Sequence, residues 1–104
     1  MKQTEYLEEF RRLAEEKIGL TNRKNMDYAN ADDAFANFKL IEVLTNGKIT
    51  TEEGILVRMT DKIQRVANLL YKKEAVNDEK INDTLQDLAI YSDILNICLK
   101  NKIR

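Results

Sequence analysis

TTEEGILVRMTDKIQRVANLL, residues 50–70, decides how the chain folds. Thr50 with Glu53 three positions later is a capping box. The hydroxyl accepts from the Glu53 N–H, and the Glu53 carboxylate reaches back to the N–H of Thr50. Behind that start signal Leu56, Met59, Ile63, Val66, Ala67 and Leu70 recur at helical spacing, which predicts a helix over about 51–73 with one buried stripe. The rest of the chain is written in the same terms. It has no proline, only three glycines, at 19, 47 and 54, and abundant Leu, Ile, Glu and Lys, so the expected class is all-α.

Upstream, TNGK at 45–48 stops a second helix over about 31–45, with Gly47 as the turn residue. Phe35, Phe38, Ile41 and Leu44 share one stripe of it, and both phenylalanines read as core. Asn30 or Asp32 can cap its start. A first helix over about 3–18 carries Tyr6, Leu7, Phe10, Leu13, Ala14 and Ile18 on one side, and Gly19 is placed to end it. The link that follows, Leu20 to about Asn30, has no period and is long for a connection between packed helices, a length found in functional loops. Downstream, EAVND at 74–78 breaks the pattern, and Asn77 or Asp78 can cap a last helix over about 78–101. The whole of 1–104 reads as a single domain.

The last helix is apolar on two sides. Its main stripe is Ile81, Leu85, Leu88, Leu95 and Leu99, and a second line of Asp83, Asp87, Ile90, Ile94 and Ile97 lies nearly opposite. One thin domain cannot cover both, so the second line is expected to meet another subunit in a dimer or larger symmetric assembly.

Composition excludes several functions. There is no histidine and a single cysteine, Cys98, within a helical apolar pattern, which rules out Ser–His–Asp and Cys–His catalysis within one chain. Cys98 reads as a buried thiol, and an unpaired cysteine suits a reducing compartment. A net charge of −1 with 34% charged residues and no basic block argues against binding duplex nucleic acid. There is no apolar run of about 18 residues and no signal-peptide pattern, so a soluble cytoplasmic protein without membrane partners is expected.

Three constellations can carry chemistry. Asp83 and Asp87, one turn apart, could share a divalent cation, although such spacing is common on solvated helices. Arg58, Asp61, Lys62 and Arg65 form a polar face on the third helix, read either as surface ion pairs or as cations around a polyphosphate. In TNRKNMDYANADDAFANF, 21–38, Lys24 could meet a phosphate, Asn25, Asp27 and Asn37 could pair with a base or sugar, and Tyr28 could stack on a base.

Taken in order, KNMDY (24–28), AFANF (34–38), GILVRMTDKIQR (54–65) and INDTLQDLAIY (81–91) resemble the nucleotide modification associated domain of phages and bacteria, related to the MazG-like all-alpha nucleoside triphosphate pyrophosphohydrolases. The resemblance covers about 24–95. It implies a four-helix bundle assembling as dimer or tetramer, and Mg²⁺-dependent cleavage of (deoxy)nucleoside triphosphates to monophosphate and pyrophosphate. It implies Asp61, Asp83 and Asp87 as catalytic metal ligands, Arg58, Lys62 and Arg65 as phosphate contacts, and Lys24, Asp27, Tyr28 and Asn37 as the nucleoside end. If the protein is phage-encoded, the host cytoplasm is its setting. Catalytic members of the superfamily carry ExxE on one helix and ExxD on the next. Here RMTDKIQR offers one acid flanked by cations, and DTLQD supplies two. That departure keeps a second reading open: a non-catalytic sponge that sequesters a nucleotide-derived immune signal in the same pocket.

Overall fold

The computed structural model describes the backbone of residues 1–28, 35–72 and 77–103, and side chains within 1–23, 35–72 and 79–101. Four α-helices follow one another: α1 (Gln3–Tyr28), α2 (Ala36–Leu44), α3 (Thr51–Lys72) and α4 (Asn77–Ile103). There is no strand among the described residues. No helix is long and apolar enough to cross a membrane, again among the described residues.

The α2–α3 corner forms as its sequence directs. The Asn46 N–H donates to Val43 O and the Gly47 N–H to Glu42 O, a Schellman pair closing α2. Asn46 takes the left-handed conformation first, at φ 53°, with Gly47 after it at φ 80°. Three residues on, the capping box is present: Glu53 N–H to Thr50 Oγ1 at 3.1 Å and Thr50 N–H to Glu53 Oε1 at 3.0 Å. Buried Thr51 then donates to Glu42 Oε2 at 2.7 Å, which ties α2 to the start of α3. Residues 30 and 32, the expected caps of α2, lie outside the described residues, as do the side chains of 77 and 78.

Two boundaries differ from expectation: α2 starts at Ala36, with Phe35 at its cap, rather than near 31, and α1 ends later. Gly19 does not end α1; the helix continues through it to Tyr28. A helical glycine costs about 1 kcal/mol relative to alanine, and packing outweighs that here. Beyond Gly19, Thr21 and Asn22 still lie along Ile94 and Ile97 of α4, so α1 keeps a surface to follow.

α3 and α4 run antiparallel, as Lys62 beside Asp87 and Glu52 beside Cys98 show. α2 runs back along α3, and α1 lies chiefly on α4, parallel to it, with Gln86 bonded to Leu13 O and Glu16 and Lys17 paired with Asp93. The buried apolar side chains, Ile55 and Leu69 from α3 and Ile90 and Cys98 from α4, mark these seams.

The expected stripes are covered only in part. Helical register places α1 and α2 on the same side of the α3–α4 pair. On the other side Leu56, Ile63 and Leu70 are 51, 53 and 62% exposed and Leu99 is 42% exposed, while Leu85 lines a cleft beside Phe10 and Leu13 of α1. Ile90, assigned from sequence to another subunit, is instead buried in a seam lined by α1 residues of its own chain. Phe35 and Phe38 are half-buried rather than central.

Candidate functional site

Where α3 runs past the end of α2, a groove of about 680 Å³ opens between α3 and α4. Arg58, Lys62, Arg65 and Lys72 line it from α3, and Lys80 from the start of α4; Asp61 is the one carboxylate among its lining residues. Five cations against one acid, in a chain of net charge −1, is a local concentration of positive charge. Arg58, Arg65 and Lys72 recur every seventh residue and so stand in one line along α3. Gln64, Asn68 and Tyr91 add neutral hydrogen-bonding groups at the walls.

The upper end of the groove is aromatic. The Arg58 guanidinium lies over the Phe38 ring, 5.0 Å from its centroid, and Phe38 meets Tyr91 edge-on at 6.2 Å. Arg58 is also a wall of a second, mainly apolar cleft of about 350 Å³, made by Asn37, Phe38 and Ile41 of α2 with Gly54 and Val57 of α3. Gly54 allows the two helices this approach: a Cβ at that position would sit 2.8 Å from Ile41 Cγ2. A charged groove and an apolar cleft thus share one arginine.

The sequence-derived residues are partly reunited. Arg58, Asp61, Lys62 and Arg65 stand in the groove and Asn37 in the adjoining cleft. An ion pair joins this polar face to α4: Lys62 Nζ lies 3.3 Å from Asp87 Oδ2, both side chains largely shielded from solvent. Asp83 is exposed and does not line the groove. Lys24, Asp27 and Tyr28 have side chains outside the described residues. Among the described residues no group of three or more Asp, Glu, Cys or His side chains is placed to hold a metal ion. A donor set of five cationic groups and one carboxylate fits an anion and does not fit a resident Mg²⁺.

Sequence reasoning missed Lys72, Lys80 and Tyr91. The seven-residue spacing from Arg65 was a signal for Lys72. Lys80 enters only through the antiparallel register of α3 and α4, which no local pattern encodes. No family model matches the chain, and neither a curated protein nor a solved structure matches it.

Proposed function

We propose that this chain is a nucleotide-binding protein that holds the phosphates of a small molecule in the α3–α4 groove and its base in the adjoining cleft, without cleaving it. The observation that carries this reading is the excess of five cations over one carboxylate along the groove. Arginine grips phosphate through paired N–H donors, and lysine contributes a mobile point charge. Arg58 joins the two compartments, so a ligand anionic at one end and planar at the other suits the site better than a free inorganic anion. Sequestration of a nucleotide or a nucleotide-derived signal is the role such a site supports, in a homo-oligomeric protein. Pyrophosphohydrolysis, which the sequence resemblance implies, ranks second, because it requires carboxylates gathered around Mg²⁺.

Asp87→Asn separates the two readings. Removing the acid beside Lys62 makes the groove more positive, so nucleoside triphosphate affinity should rise at least about fivefold, since ~1 kcal/mol is the effect of one nearby charge in water and partial shielding increases it. Arg58→Ala and Arg65→Ala should each weaken binding by about tenfold, as loss of a charge-assisted contact does. Calorimetry with ATP, other nucleoside di- and triphosphates and ADP-ribose measures both. Absence of binding across that panel, or affinities unchanged in the arginine variants, defeats the proposal. Turnover to monophosphate with Mg²⁺ that disappears in Asp61→Ala and Asp87→Asn would establish the hydrolase instead.

A further inference from the structure

From the phosphate-binding reading of the α3–α4 groove, on which this rests, we infer that its ligand is a short single strand of nucleic acid. The phosphodiesters follow the cations of α3 away from the aromatic end. Length carries the assignment. Arg58, Arg65 and Lys72 stand in one line, and at about 1.5 Å of rise per residue that line extends over about 21 Å. The register that sets Lys62 beside Asp87 and Glu52 beside Cys98 brings Lys80 level with Leu69, in the half of the groove nearer Lys72. The three phosphorus atoms of a nucleoside triphosphate, joined through single bridging oxygens, cover only part of such a line. With its base at the aromatic end, that ligand leaves Lys72 and Lys80 without an anion. The chain's own carboxylates do not serve them: Arg65, Lys72 and Lys80 make no ion pair among the described residues.

A strand meets the whole line. Stacked as in a duplex it carries a phosphate about every 3.4 Å, and an extended strand spaces them wider, so the line takes roughly three to six phosphates. Spread over about 21 Å, the 680 Å³ of the groove leaves a cross-section of roughly 30 Å², room for one chain and not for a duplex. The walls suit bases better than a bare polyanion. Phe38 and Tyr91 stand at one end, and Gln64 and Asn68 offer amides that both donate and accept. A cationic track beside aromatic rings is how single strands are held with little regard to sequence.

Calorimetry with five-nucleotide strands of DNA and of RNA, beside ATP and inorganic polyphosphate, tests this. Such a strand has four phosphodiesters, and so about the charge of ATP drawn out over a longer line. It should bind at least about tenfold tighter than ATP, the gain from further charge-assisted contacts. Its affinity should fall with salt at a log–log slope of about −3, as for four neutralised phosphates on a single strand. Lys72→Ala and Lys80→Ala, both at exposed positions, should each weaken the strand about tenfold, at least about fivefold more than they weaken ATP. Each should also bring the slope to about −2. A preference for one strand names the nucleic acid. ATP bound as tightly as the strands, with the lysine variants affecting both alike, overturns the inference and leaves the small-molecule reading in place. Strand binding without mononucleotide binding supports it and removes that reading. Polyphosphate bound as tightly as the strands makes the line a general polyanion site and overturns the assignment to nucleic acid. No binding of any of them removes both.

Discussion

Two glycines show how little of a residue's role is visible in its identity. Gly19 has the sequence setting of a helix stop and Gly54 that of an ordinary helix position; their surroundings reverse those weights. Nothing lies within 4 Å of a Cβ built on Gly19, so Gly19→Ala should raise stability by about 1 kcal/mol through helix propensity alone. The same change at Gly54 drives a methyl against the γ-methyl of Ile41, a β-branched side chain with little rotamer freedom. It should cost about 1–3 kcal/mol and prise α2 from α3, as overpacking does elsewhere. Urea midpoints of the two variants should move in opposite directions, and a shared direction would contradict the close approach of α2. Among the polar residues, Arg58, Asp61, Lys62 and Arg65 were legible as a site because their charges cluster in sequence. Lys80 and Tyr91 were not, since a partner helix brings them in.

At the scale of the helix, start and stop signals were read best where they are chemical and worst where they rest on propensity. The capping box of α3 and the turn at Asn46–Gly47 depend on specific bonds between near neighbours, and both formed. The end of α1 depended on a weak glycine preference, which contact with α4 overrode. Removing the α3 cap with Thr50→Ala should cost about 1 kcal/mol in chemical denaturation. The cap is also pH-sensitive in a defined direction. The Thr50 backbone N–H, and secondarily its hydroxyl, hold the Glu53 carboxylate below its ordinary pKa. The folded form thus favours the ionised acid, so its contribution is complete above the ordinary carboxylate pKa and disappears as pH falls through the depressed one. The stability advantage of wild type over Glu53→Gln should therefore shrink steadily below about pH 4. A gap that stays constant to pH 2 would contradict the bond.

On the scale of the molecule, helix count and class were legible from periodicity, but the arrangement was not. Apolar stripes on α3 and α4 show that something must cover them; they do not say whether that cover is α1, α2 or another chain. The stripes assigned to the interior are covered only in part, and Ile90, assigned to a partner, lies under α1. That placement of α1 has a consequence for the order in which the structure comes apart. α1 is joined to the rest chiefly through α4, by groups such as Gln86 and Leu13 that are 73 positions apart in sequence. α3 and α4, by contrast, follow one another in sequence and meet along their length, Lys62 with Asp87 and Glu52 with Cys98. Helices attached by few, distant contacts open as separate units before the remainder unfolds. Amide hydrogens of α1 should thus exchange with deuterium well ahead of those in the middle of α3 and α4, in conditions where the protein remains folded. Equal protection along all three helices would show one cooperative unit instead. With the expected hierarchy, the N-terminal helix detaches and returns while the cationic groove, built without it, persists.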